Sequence, residues 1–473
     1  MAPRSQHPHR GAGRRSGPAR VAPAPGQHGV AGGLRPDLER TLSFRDIALL
    51  VVGNVIGSGI FIVPATVLSA VDGDVGTAQL VWLLGGVLSL LGALTYGELG
   101  AMKPEAGGLY VFMRDAFGPF VAFLFGWTLF FAIGAGSLAT LGAAFAGYLS
   151  QFVQLSTFGT RAVAVLMVIA VAAINIRGTR QAAAVNNWTT AFKFCAVALI
   201  GVALFVAGDG VGDQGGSYIP QDLGIGNLPA IGLALIGVLW AFEGWQWVTF
   251  TAGETIDPGR SFPKGIAIGT IAIIAVYSLA NIGYLAALGP ERAMQTLSIA
   301  STAVETVFGG TAGRLVAAAI LVSIFSAANA TVLTASRVVF AMARDGLFFR
   351  RLGEVHATLR TPALSIAAFS AWAMVLAAAG RFEQLLTYVV FAGWLFYGIG
   401  AAAIFVFRRR DPHAPRPFRV PGYPLTPLLF VLAAAAIVAN TLFGQPREAG
   451  IGLVVVLVGA PAYLVWRKGG AHA

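Results

Sequence analysis

Cysteine is almost missing from this chain. Of 473 residues only Cys195 is a cysteine, so neither a disulfide framework nor a cysteine-based metal site can form within it. Histidine is scarce and badly placed for chemistry at membrane depth. All six, His7, His9, His28, His356, His413 and His472, fall outside the long apolar runs. A His-ligated zinc or haem centre inside those runs is therefore excluded, and no cofactor is expected. Charge is sparse too: Asp, Glu, Lys and Arg make up 11% of the chain, against about 25% in an ordinary soluble domain.

What is present is apolar sequence. The chain is 56% hydrophobic with a mean hydropathy of +0.74, which reads as an all-α integral membrane protein with many passes. Apolar runs of about 20 residues are long enough to span a bilayer as helices. They fall near 44–68, 78–100, 117–148, 162–176, 189–207, 228–252, 265–288, 312–342, 362–380, 384–407, 424–443 and 449–466, about 12 in all.

A net charge of +11 invites a nucleic-acid reading, but the arrangement of the charge gives another. With the N-terminus placed inside, 26 of the 32 Lys and Arg residues fall on the cytoplasmic side, five fall outside, and Lys193 alone lies within a span. The positive-inside rule then predicts both termini in the cytoplasm and an even number of spans, in the cell's inner (plasma) membrane. No nucleic-acid partner is expected. Residues 1–40, rich in Pro, Gly, Arg and His without apolar period, read as a disordered basic tail, either solvated or touching anionic lipid. Because the first apolar run begins near Phe44 and is of spanning length, a cleaved secretory signal is not expected.

Two spans look built to break. Gly53, Gly57, Ser58 and Gly59 interrupt the first, and Glu243 and Gly244 interrupt the sixth, in the stretch Trp240-Ala241-Phe242-Glu243-Gly244. Glycine is a poor helix former and serine competes for its own backbone, so N–H and C=O groups are freed. Bare backbone at membrane depth is tolerable only where it lines a cavity or meets a solute. A half-helix starting after Ser58 aims amide N–H groups and a positive dipole end at an anion such as a carboxylate. Paired interruptions in corresponding positions of two halves point to an inverted-repeat binding site. The competing reading, glycines that only let helices pack closely, applies to each motif taken alone.

Further motifs carry a resemblance. Tyr96-Gly97-Glu98-Leu99-Gly100 is followed by Pro104-x-x-Gly107-Gly108 and then by Ala116-Phe117-Gly118-Pro119. With the Gly57-Ser58-Gly59-Ile60-Phe61 break, this ordered set resembles the amino acid–polyamine–organocation transporter superfamily. Within it, the chain is most similar to prokaryotic relatives of the L-type amino acid transporter branch, over about residues 41 to 466. The resemblance implies a ten-helix core of 5+5 inverted repeats over 41–410, with discontinuous helices 1 and 6. Residues 411–473 then supply two scaffold helices and a short cytoplasmic tail.

It also implies a site. N–H groups near Ser58, Gly59 and Ile60 would hold an α-carboxylate, and carbonyls near Ile56, Trp240 and Phe242 an α-ammonium, with Gly57, Ala241 and Gly244 forming the rest of the breaks. Trp240 matches a gating aromatic, and Phe391 and Trp394 match aromatics bordering the side-chain pocket. Lys193 matches a lysine that fills a sodium site in sodium-coupled relatives, with Ser323 or Ser326 as its hydroxyl partner. Alternatively Lys193 snorkels to the membrane surface. Glu243 departs from the pattern: it accepts bonds from unwound N–H groups, faces a cationic substrate group, or titrates during transport. No cysteine lies in the outer loop after span three, where vertebrate members bond an ancillary subunit, so no disulfide-linked partner is expected.

The expected function is secondary transport of amino acids by alternating access, neutral ones by exchange or proton symport. The alternative is a cationic amino acid or polyamine carrier of the same fold. No catalytic constellation or sizeable soluble domain is present, so an enzyme is not expected.

Overall fold

Ser43 starts the first span. Its hydroxyl accepts from the Asp46 N–H while the Asp46 carboxylate accepts from the Ser43 N–H at 2.7 Å, a reciprocal cap that satisfies two helix-end donors. The helix runs Phe44–Val55, breaks over residues 56–58, and resumes as Gly59–Ala70 at an angle of 46°. The computed structural model describes residues 38–210, 217–221, 224–296, 298–379 and 382–470. Most of the tail expected over residues 1–40 therefore lies outside the described residues.

Spans 2 to 5 are Val75–Met102, Pro119–Leu149, Thr157–Arg177 and Thr179–Ala207. Span 6, Leu228–Glu254, is α-helical to Ala241, turns over 242–244, and continues from Trp245 as a ten-residue 3₁₀ helix. So long a 3₁₀ stretch is uncommon and marks a hinge or strained segment. Spans 7 and 8 are Pro258–Met294, bent at Gly289 with φ +65°, and Gly310–Arg344. Spans 9 to 12 are Ala363–Ala379, Phe382–Arg410, Leu425–Gly444 and Pro446–Gly470. Span 9, with 17 residues, is the shortest, about 25 Å at 1.5 Å per residue. The two broken spans are five apart, and an odd offset makes the second run antiparallel to the first, as an inverted repeat requires.

Span 5 begins ten residues before the apolar run that announces it. Its first turns carry Asn186 and Asn187, which are turned to the first span: Asn186 donates to the Leu49 carbonyl at 3.3 Å, and Asn187 bonds Asp46. Hydropathy cannot see a polar turn that is paired within the protein. The same extension leaves Lys193 deep in the helix, 1% exposed, so it does not snorkel.

Span 7 packs along spans 2, 5 and 1, and the second half of span 1, Gly59–Ala70, lies along the first half of span 6. Spans 3, 4, 8 and 9 pack among themselves. Spans 11 and 12 pack on span 10, and the described residues form one compact unit. Large apolar side chains face outward, among them Phe158, Trp188, Leu199, Val206 and Phe443. That outward apolar surface is what a bilayer solvates.

Candidate functional site

The two breaks are pressed together by their glycines. A Cβ on Gly59 would lie 2.6 Å from the Ala241 Cα, and one on Gly244 would lie 2.8 Å from the Asn54 Cβ. Gly244 also sits at φ +121°, a region L side chains rarely adopt. Tyr277 of span 7 pins the pair, its hydroxyl lying 3.0 Å from the Val55 carbonyl and 3.1 Å from that of Ala241.

Around this contact lies a cavity of about 30 Å³. Its wall includes Asn54, Ser58, Gly59, Trp240, Glu243 and Thr331. Little more than a water fits in such a space, so the centre is contracted in this conformation. Three successive N–H groups, those of Ser58, Gly59 and Ile60, find no acceptor among the described residues; the next, Phe61 N–H, turns back to Ser58. The Ser58 hydroxyl is buried without a partner as well. Unpaired donors at the start of a half-helix form a site for an anionic oxygen.

Beyond this centre, one turn along from Gly59 and Trp240, a cavity of about 680 Å³ opens between Val63, Tyr148, Gln151, Ile236, Gly237 and Ser298. The opposite end is shut. Arg337 donates to Glu254 at 2.8 and 3.1 Å and to Thr179 at 2.9 Å, joining spans 8, 6 and 5. The Glu254 carbonyl takes the N–H groups of Thr41 and Leu42, both at 2.9 Å, so the entry to span 1 is tied to the same point.

Lys193 donates to the carbonyls of Gly53, at 2.8 Å, and Ile56, capping oxygens that the first break frees. Ser323 reaches the carbonyls of Ile56 and Gly57 at 3.3 and 3.2 Å, so it shares an acceptor with the lysine rather than bonding it. Ser326 is directed elsewhere, accepting from Thr189 at 2.7 Å. Glu243 meets side chains, not unwound N–H groups: Gln246 at 2.7 Å, Trp247 at 3.1 Å and the Tyr397 hydroxyl.

Of the other residues singled out in the sequence, Gly57 and Gly244 are on the cavity wall. Ala241 is behind Gly59, and Phe242 packs on Trp82 and Tyr277. Phe391 and Trp394 do not reach the cavity. Phe391 lies against Gly452 of span 12, and Trp394 packs on Phe430 of span 11 with ring centroids 5.5 Å apart. An apolar helix buried on several sides gives no periodic clue to which aromatic faces inward.

Tyr277, Tyr397 and the Arg337–Glu254 pair were not visible in the sequence. A tyrosine in an apolar run carries no partner information. Arg337, followed by five uncharged residues before Ala343, gave the one available signal, a cation set back from the helix end.

The profile of the family described as "Amino acid permease" matches residues 42–460. The serine/threonine exchanger SteT of Bacillus subtilis is 32% identical over 423 residues, covering 89% of this chain and 95% of the relative. The mouse large neutral amino acids transporter small subunit 2 is 30% identical, over 96% of this chain and 87% of its own length. The human cystine/glutamate transporter is 29% identical over 94% and 88%. Its fold, its paired breaks and these matches agree, and the chain belongs to the amino acid permease family.

Proposed function

We propose that this chain carries neutral L-amino acids across the cell's inner (plasma) membrane by alternating access, as an exchanger or a proton symporter, with both termini in the cytoplasm. Family membership makes it a multi-pass membrane transporter rather than an enzyme. The observation that carries the substrate reading is the run of three N–H groups without an acceptor among the described residues, at Ser58, Gly59 and Ile60, the first two of these residues lining the central cavity. Backbone donors hold a carboxylate irrespective of side chain, so they select α-amino acids as a class. The names of the relatives, serine/threonine exchanger and large neutral amino acids transporter, support neutral substrates.

On this reading the 680 Å³ cavity is the outward vestibule and the Arg337–Glu254–Thr179 knot is the closed cytoplasmic gate. Spans 1, 2, 6 and 7 rock against the rest to exchange the two. Trp240 covers the substrate. Lys193 and Ser323 hold the opened first break, and substrate binding must favour the closed centre over the open one for transport to be driven. The lone cysteine, Cys195, lies exposed in span 5 and not in an outer loop, so the carrier works without a disulfide-linked subunit. A second reading, a carrier of cationic amino acids or polyamines, is favoured by one observation, the Glu243 carboxylate on the cavity wall.

Uptake of radiolabelled amino acids into proteoliposomes tests both. Neutral amino acids enter on the first reading, and cationic ones alone enter on the second. Uptake that requires trapped internal amino acids identifies an exchanger, whereas concentrative uptake into empty vesicles under an inward proton gradient identifies a symporter.

A further inference from the structure

An α-amino acid brings an ammonium as well as a carboxylate, and the backbone carbonyls that would receive it are largely taken. The Val55 carbonyl accepts from the Gly57 N–H at 2.8 Å and from Tyr277 at 3.0 Å. That of Ile56 accepts from Lys193 and Ser323, and that of Trp240 from the Glu243 N–H at 3.0 Å, the Phe242 N–H going to the Val238 carbonyl. A carbonyl oxygen has two lone pairs, so those of Val55 and Ile56 are filled and that of Trp240 keeps one. Gly57 and Ala241 each keep one lone pair, and Phe242 keeps both, but neither Ala241 nor Phe242 is on the cavity wall.

Glu243 is on that wall. Its three donors, Gln246, Trp247 and Tyr397, all converge on Oε1, and Oε2 meets no donor among the described residues. A carboxylate gripped by one oxygen is oriented, and its other oxygen is left to accept a charge-assisted bond. We propose that Glu243 Oε2 receives the substrate's α-ammonium, which makes this residue a determinant of specificity for a protonated amine. Gln246, Trp247 and Tyr397 are positioning residues for it. The zwitterion then lies between the N–H groups of Ser58 to Ile60 and the Glu243 carboxylate, and Lys193, buried on the first break, offsets the added negative charge. The inference rests on the reading of the cavity as an α-amino acid site.

The test is competition in proteoliposomes between a labelled neutral amino acid and two unlabelled compounds, the same amino acid and the 2-hydroxy acid of identical side chain, which lacks the ammonium. Wild-type protein favours the amino acid strongly. In Glu243→Gln this preference falls at least about tenfold, because a charge-assisted bond is replaced by one an alcohol makes equally well. Tyr397→Phe, which removes a donor from Oε1 but keeps the carboxylate, raises KM and leaves the preference near wild type. If Glu243→Gln transports nothing, the same preference is read from thermal shifts of the purified variant with the two compounds. An unchanged preference by either readout overturns the proposal and leaves Glu243 a tie between spans 6 and 10. Wild-type protein that takes up no amino acid would instead overturn the reading on which it rests.

Discussion

Arg337 Nε lies 2.8 Å from Glu254 Oε1, with the arginine 0% and the glutamate 1% exposed. An ion pair so withdrawn from water attracts strongly, but each partner is costly to bury alone. Arg337→Ala is therefore expected to destabilise the protein by about 3–5 kcal/mol. Replacing both, Glu254→Leu with Arg337→Met, removes the stranded charge and recovers most of that loss. Thermal unfolding in detergent measures both variants. If the pair is the closed gate, the double variant regains stability without regaining coupled transport; recovery of both would reduce the pair to a packing element.

Lys193 and Ser326 separate cleanly. The lysine caps the carbonyls of Gly53 and Ile56, whereas the hydroxyl of Ser326 is bonded to Thr189 of span 5. Lys193→Met removes a charged donor from two buried oxygens, an interaction of about 1.5–3 kcal/mol, so uptake is expected to fall roughly tenfold or more. Ser326→Ala should lose only a few-fold, as befits loss of a neutral hydrogen bond of about 0.5–1 kcal/mol. Initial rates normalised to reconstituted protein decide it, and equal losses in the two variants would contradict the assignment.

The aromatic residues divide by what they touch. Trp240 is on the wall of the central cavity, and Trp394 is packed on Phe430 away from it. Trp394→Ala is expected to cost about 3–5 kcal/mol of stability through the cavity it leaves, with KM little changed in the protein that remains folded. Trp240→Ala should raise KM with a smaller loss of stability. A KM shift in Trp394→Ala as large as in Trp240→Ala would return Trp394 to the substrate pocket.

Much of the fold was legible because membrane helices announce themselves by apolar length. The breaks were legible for a related reason: Gly57, Ser58, Gly59 and Gly244 contradict the helices that contain them. The helix entry carrying Asn186 and Asn187 was hidden, since those side-chain amides donate to Leu49 and Asp46 of another span. Tyr277 was hidden in the same way. Its two acceptors, Val55 and Ala241, lie 222 and 36 residues away, and nothing local marks a hydroxyl that will meet them. Glu243 stood out as a charge in an apolar run, but its grip by Tyr397 depends on packing 154 residues distant.

The central claim is that the backbone N–H groups of Ser58, Gly59 and Ile60 hold the substrate's carboxylate. Competition against labelled amino acid by the unlabelled amino acid and by its methyl ester, in proteoliposomes of the wild-type protein, tests it most directly. The account predicts that the free acid competes and that the ester, which keeps the ammonium and side chain but not the anionic oxygens, competes at least about tenfold more weakly. Equal competition by the two would mean that the opened half-helix does not read the carboxylate.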